Sequence, residues 1–132
     1  MKILFMCVAN SARSQLAEGL AKAIFGSKAQ IESAGSSPTS VNPLAIRALG
    51  EVGIDITGNR SKSVGDLPAE FVTDLNYVIT LCAEEVCPVI ISNATKLHWP
   101  HFDPAGGDIE KFREVREQIS KKLKSFKEEL GL

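Results

Sequence analysis

The first fourteen residues constrain the fold more than any other stretch. Lys2-Ile-Leu-Phe-Met6 is a short apolar run of the kind that forms a strand buried on both faces. Cys7-Val-Ala-Asn-Ser-Ala-Arg-Ser14 follows without a break, and helical periodicity then runs from Ser14 to Phe25. A strand that delivers a thiol at its carboxyl end, then small residues, then an arginine six positions on at a helix start, describes an anion cradle with a nucleophile in it. Val8, Ala9, Asn10, Ser11, Ala12, Arg13 and Ser14 can turn backbone N–H groups toward a tetrahedral oxyanion, and the helix start adds its positive end. Arg13 is spaced to clamp two oxygens at once. The same field activates an adjacent thiol for nucleophilic attack. The plain alternative is a structural cysteine that happens to precede a helix. The arginine, the serine after it and the strand–loop–helix setting weigh against that.

The rest of the chain alternates strands and helices. The first helix, 14–26, places Leu16, Leu20, Ala23 and Ile24 on one stripe, with Glu18 and Lys22 four apart on another. Residues 29–34 alternate like a second strand, and Asn42-Pro43 reads as an N-cap with proline at the first helical position. That second helix runs to about Val52. Residues 57–62 are irregular, and a short helix is expected around 64–69. Residues 75–81 form a third strand ending at Cys82, 83–92 fit no pattern, and 94–98 make a short fourth strand. After a loop over 99–107, Asp108 caps a last helix reaching about Leu130, with Phe112, Val115, Ile119, Leu123 and Phe126 inward. Strands separated by helices pair in parallel through right-handed crossovers. The expected fold class is α/β, a single-domain, doubly wound, four-stranded parallel sheet with helices on both faces, spanning residues 1–132. Ligands of such sheets bind beyond the carboxyl ends of the strands. Cys7, Cys82 and the loop after the fourth strand therefore belong to one edge.

Composition excludes several partners. The net charge of −1 gives no electrostatic case for nucleic acid or an anionic membrane. Nor does any apolar run approach the roughly 18 residues of a membrane span, and the expected location is the cytoplasm. Three cysteines in such a chain suit catalysis or redox exchange better than structural disulfides. Cys82, Cys87 and one remote cysteine are too few for a structural zinc site, and the spacing of His98 and His101 does not add a ligand.

The form Cys7-Val-Ala-Asn10-Ser-Ala-Arg13-Ser14-Gln15-x-Ala17-Glu18 resembles the low-molecular-weight protein tyrosine phosphatase superfamily, and its arsenate reductases more than its phosphatases. The resemblance implies a phosphotyrosine protein phosphatase I-like fold. Asp103-Pro104 resembles that superfamily's acid loop, which makes Asp103 the general acid that protonates a departing oxygen. Many of the phosphatases carry aromatic residues just beyond this pair, where Ala105-Gly106-Gly107 stands here. Reduction of arsenate needs two electrons, which two thiols supply on becoming a disulfide. The implied relay starts with Cys7 attacking arsenate. Cys82 then attacks Cys7, releasing arsenite, and Cys87 attacks Cys82 to leave a Cys82–Cys87 bond. A thiol reductant reopens it, whether thioredoxin or glutaredoxin with glutathione. Five helical residues rise about 7.5 Å, beyond the roughly 4.4–6.8 Å a disulfide allows between Cα atoms. Residues 82–87 are therefore not expected to be a regular helix when oxidised.

Asn10 and Ser14 are expected to brace the loop, Ser14 by donating to the Cys7 sulfur. Asn10, Glu18 and Ser33 match positions that line a potassium site in some of the reductases, and Lys62 stands where that site has an acid. No cofactor, and no potassium requirement, is expected. Phosphate and sulfate are the expected analogue anions, and the chain is expected to act as a monomer. Two other functions compete: a phosphotyrosine or small phosphomonoester phosphatase, in which Cys82 and Cys87 are incidental, and a non-catalytic oxyanion or redox sensor, which has no use for Asp103.

Overall fold

The computed structural model describes residues 1–83 and 92–132. Four strands, β1 (Lys2–Cys7), β2 (Gln30–Gly35), β3 (Tyr77–Thr80) and β4 (Thr95–His98), form one sheet in the order β2-β1-β3-β4, every pair parallel. The helices are α1 (Arg13–Phe25), α2 (Pro43–Gly50), α3 (Ala69–Thr73) and α4 (Ile109–Glu129). Strand β1 is central because its apolar residues serve both faces. Ile3 and Phe5 join the larger core beneath α1, α2 and α4, while Leu4 and Met6 join a smaller one with Leu67, Phe71, Leu75 and Val78. Doubly wound α/β architecture follows directly from that alternation.

Caps fix the helix ends as their residues suggest. The Asn42 side chain accepts from the Leu44 N–H at 2.9 Å with Pro43 at the first position, and Asp108 accepts from Lys111 at 3.3 Å. All five apolar residues expected inward on α4 are buried. Some boundaries differ. Helix α2 stops at Gly50, where Glu51–Gly53 form tighter turns, and the short helix expected at 64–69 divides into a 3-10 turn, Val64–Asp66, and α3. Pro68 explains the division, since its ring cannot continue the preceding turn. On α1, Ala23 faces solvent, and the inward stripe runs instead through Leu16, Ala17, Leu20, Ala21 and Phe25. One reason is Gly19: a Cβ there would lie 2.6 Å from Leu49 and 2.9 Å from Ile56, so α1 meets the α2 region closely at its middle. Among the described residues no helix is long and apolar enough to cross a membrane.

Candidate active site

Strand β1 ends at Cys7, whose free thiol is 2 % exposed, and the chain turns back into α1 through residues 8–12. The shape of this loop follows from where its carbonyls go. Val8 O accepts from Ser37 N at 2.9 Å, Ala9 O from Thr39 N at 3.1 Å and Ser61 Oγ at 2.8 Å, and Ser11 O from Asn42 N at 3.0 Å. Ala12 O accepts from Leu16 N at 2.9 Å, inside α1. Each peptide is planar and trans, so a carbonyl tied outward turns the following N–H the other way. Among the described residues no acceptor meets the N–H groups of Ala9–Ala12. Helix α1 begins at Arg13 with no side-chain cap, which leaves its first N–H groups to a ligand. Asn10 has φ 48°, a left-handed conformation that asparagine tolerates better than most residues and that curls successive N–H groups into a concave nest.

Gly35 is required by this arrangement. A Cβ at Gly35 would sit 2.4 Å from Val8 O and 2.9 Å from Asn10 N, so β2 can pass under the loop only without a side chain. Nothing in the residue pattern singles out Thr39 or Ser61. Only the glycine at the end of the second strand carried a signal.

Ser14 Oγ lies 2.9 Å from Cys7 Sγ, and the neighbours decide which atom donates. The Lys62 backbone N–H can only donate, and it points at Asn10 Oδ1 from 2.9 Å. The Asn10 amide nitrogen must then face the other way, toward Ser14 Oγ at 2.8 Å and Ser33 Oγ at 3.0 Å. Both hydroxyls accept there and keep their own protons. That of Ser14 is directed to the Cys7 sulfur, and that of Ser33 to Glu18 Oε1 at 2.5 Å. Lys62, 7 % exposed, places Nζ 3.1 Å from the same Glu18 oxygen, and Lys22 Nζ lies 2.9 Å from the other. Burial pushes the Glu18 carboxyl upward, yet the Ser33 bond and the Lys62 and Lys22 charges hold it below its ordinary value. Lys62, the least local of the expected support residues, thus meets the loop at Asn10 through its backbone and Glu18 of α1 through its ammonium.

Arg13 is 3 % exposed and reaches across the site, donating to the carbonyls of His101 at 3.2 Å and Leu81 at 3.4 Å. Its other terminal nitrogen lies 3.7 Å from Asp103 Oδ2. Asp103 also accepts from the Ala105 N–H at 3.0 Å, while its side chain is 48 % exposed. Cys82 is buried directly after Leu81 and is disulfide-bonded. Cys87 lies outside the described residues, as do 84–86 of the stretch expected to be non-helical; Cys82 and Ala83 are not helical. His101 Nδ1 lies 2.8 Å from Trp99 O, so that nitrogen donates. Burial pushes its imidazole below the usual value, and the Arg13 and Lys122 charges act in the same direction. His98 pairs with Thr80 on the exposed edge, and Trp99 packs against Phe5 and Phe126. No set of three His, Cys, Asp or Glu that could hold a metal occurs among the described residues.

A buried free thiol under an outward-tied loop, at the carboxyl edge of a 2-1-3-4 parallel sheet, marks the class of thiol enzymes that act on tetrahedral oxyanions. The model of the low molecular weight phosphotyrosine protein phosphatase family matches residues 2–131, and the chain belongs to that family. Within it, the chain is 43% identical over 126 residues to arsenate reductase 1 of Staphylococcus epidermidis, covering 94% of this chain and 93% of the relative. An arsenate reductase solved in a phosphate-binding state superposes with a TM-score of 0.81 at 35% identity, covering 95% of each chain. A thioredoxin-dependent arsenate reductase of Corynebacterium glutamicum gives 0.76 at 30% identity, over 98% of this chain and 61% of that one.

Proposed function

We propose that the chain reduces arsenate to arsenite with thiols as the electron source. The observation that carries this is the pairing of a free Cys7 inside an anion loop with a disulfide-bonded Cys82 at the neighbouring strand end. Phosphomonoester hydrolysis needs only the first of these. The relatives named arsenate reductases support the same reading, as does Ala105-Gly106-Gly107, which offers no aryl wall beside Asp103.

In the mechanism, the Cys7 sulfur attacks arsenic while the loop N–H groups and Arg13 hold the oxygens, and an oxygen leaves as water with a proton from Asp103. Cys82 as a thiol then attacks the Cys7 sulfur. The sulfur–arsenic bond breaks, its electron pair stays with arsenic, and arsenite departs. Cys87 displaces Cys7 from Cys82, and an external dithiol such as thioredoxin reduces the resulting bond. Cys82→Ser removes arsenate turnover yet leaves aryl-phosphate hydrolysis within about tenfold, since hydrolysis needs the nucleophile and the acid alone. Cys87→Ser accumulates a Cys7–Cys82 disulfide, visible by peptide mapping after arsenate treatment. Repeated turnover by that variant with thioredoxin as sole reductant would contradict the relay.

The residues at the matching potassium positions do not fit a cation. Asn10 Oδ1 already accepts from Lys62 N, Ser33 Oγ from Asn10, and both Glu18 oxygens from charged or hydroxyl donors. An ammonium group stands against Glu18 instead. Melting temperature and arsenate kinetics are therefore expected to be equal in potassium and sodium chloride at one ionic strength, with Lys62→Asp introducing a potassium dependence. A potassium-specific gain in the unmodified chain would refute the point.

A further inference from the structure

We propose that Gln15 and Asn59 are positioning residues for the nucleophile loop. They close a ring of side-chain hydrogen bonds that holds the Asn10–Ser11 peptide in its anion-binding orientation. The proposal rests on the reading of residues 7–13 as an oxyanion site and concerns how that site keeps its shape.

Gln15 is completely buried in the first turn of α1. Its Nε2 lies 3.0 Å from Asn10 Oδ1, 3.3 Å from Asn10 O and 3.2 Å from Arg60 O, and its Oε1 accepts from Asn59 Nδ2 at 3.0 Å. Asn59 Nδ2 also donates to Glu18 Oε2 at 3.0 Å. The path then closes through Ser33, which donates to Glu18 and accepts from Asn10. Five side chains, Asn10, Gln15, Asn59, Glu18 and Ser33, thus form one ring.

Every direction in the ring follows from one group that only accepts. An ionised Glu18 requires Asn59 to present its nitrogen. The second hydrogen of that nitrogen requires Gln15 to present its oxygen there, and so its nitrogen to Asn10. Glu18 is in turn held ionised by Lys62 and Lys22. On the loop side, Asn10 O is the one carbonyl between Val8 and Ala12 whose outside donor is a side chain rather than a backbone N–H. The Gln15 amide therefore does for the Asn10–Ser11 peptide what Ser37, Thr39 and Asn42 do for its neighbours. Without it, this peptide, next to a residue at φ 48°, can rotate and turn the Ser11 N–H away from the oxyanion.

The test uses the full-length chain, 15N-labelled, with the Cys82 disulfide intact and inorganic phosphate as the probe. Two variants are compared with the unmodified chain: Gln15→Leu, which removes the donor, and Asn59→Ala, at a half-buried position, which keeps the donor but removes the group that orients it and one of the bonds to Glu18. In the unmodified chain phosphate shifts the Ser11 amide resonance and slows alkylation of Cys7. Gln15→Leu is expected to weaken phosphate about tenfold and Asn59→Ala about threefold, the loss of one or two buried hydrogen bonds. In both, the Ser11 response is reduced. If Gln15→Leu does not fold, Asn59→Ala decides. A lowered melting temperature with unchanged phosphate affinity and an unchanged Ser11 response would overturn the proposal, leaving these residues a packing role. Failure of phosphate to bind the unmodified chain would instead strike at the oxyanion site itself.

Discussion

The two halves of the site are built differently. The floor, from Cys7 to Glu18, is buried except for the half-buried Val8, Ala9 and Ser11, and its polar side chains Asn10, Ser14, Gln15 and Glu18 are each hydrogen-bonded to another buried group. The acid loop is open: Phe102 is 41 % exposed and the Asp103 side chain 48 %. Its ties to the rest include the His101 N–H on Leu81 O at 3.1 Å, the contacts of Arg13, the Lys111 ammonium over the Phe102 ring and the buried Pro104. The difference teaches that the proposed mechanism divides binding and proton delivery between separate structures. The floor holds donors in place before the oxyanion arrives, which is what makes them effective in a site with little water. The acid must admit substrate, release product and exchange a proton with solvent, and a surface loop serves that better than a buried one.

The largest effect tests the floor at its centre. Cys7→Ser abolishes arsenate reduction and any phosphatase activity, since no other group can form the first covalent bond. Residual turnover above the level of a mock preparation would move the nucleophile elsewhere. Next comes Gly35→Ala, which forces a methyl group against Val8 O. It is expected to lower phosphate affinity by about a hundredfold, since relieving such overpacking means moving the loop itself. Near-normal binding, measured by calorimetry, would show that the floor is softer than described. Asp103→Asn addresses the other half. Removal of a general acid costs about 10²-fold or more in kcat, while phosphate affinity is expected to stay within about threefold, because the loop N–H groups are unchanged and Arg13 keeps its bonds to the His101 and Leu81 carbonyls when its 3.7 Å contact with Asp103 is altered. An equal loss in both would erase the distinction between the halves.

The smallest effect lies far from the site. Glu51 receives Arg113 and Arg116 from α4, and the Arg113 bonds above all hold its carboxyl at about 2. A depressed carboxylate contributes stability that is complete above its unfolded value near 4.5 and lost as pH falls toward 2. Melting curves of the unmodified chain and Glu51→Gln should therefore differ above about pH 4.5 and converge toward pH 2. A constant gap across that range would contradict the linkage.

Local signals carried most of the fold into view. An apolar run before Cys7, Asn42-Pro43 and Asp108 each act over a few residues, and the structure places strands and caps there. The same locality makes Cys7 and Arg13 conspicuous, whereas Asp103-Pro104 alone reads as an ordinary turn and stands out through its resemblance to a family loop. Lys62 stood out only beside a family pattern, because nothing in Arg60-Ser-Lys62 announces a buried ammonium. Gln15, Thr39, Asn59 and Ser61 stayed invisible for a physical reason. Each acts through hydrogen bonds to partners chosen by the tertiary fold, and no periodicity records such a choice. Ala23 was assigned inward by spacing alone, whereas the close approach of α1 at Gly19 turns the helix so that Ala21 and Phe25 are covered instead.

The central place of β1 also dictates the order in which this molecule can be assembled. Its first strand is made first and finished last. On a chain synthesised from its N-terminus, Asn10 must wait 52 residues for the Lys62 N–H that fixes its amide. Arg13 waits 88 residues for the His101 carbonyl. A nascent chain therefore exposes Cys7 well before the loop that surrounds it is fixed. Contacts that close such long loops also slow folding as a whole. Oxidation or alkylation during synthesis would thus fall on Cys7 during this interval, before the finished fold has covered it.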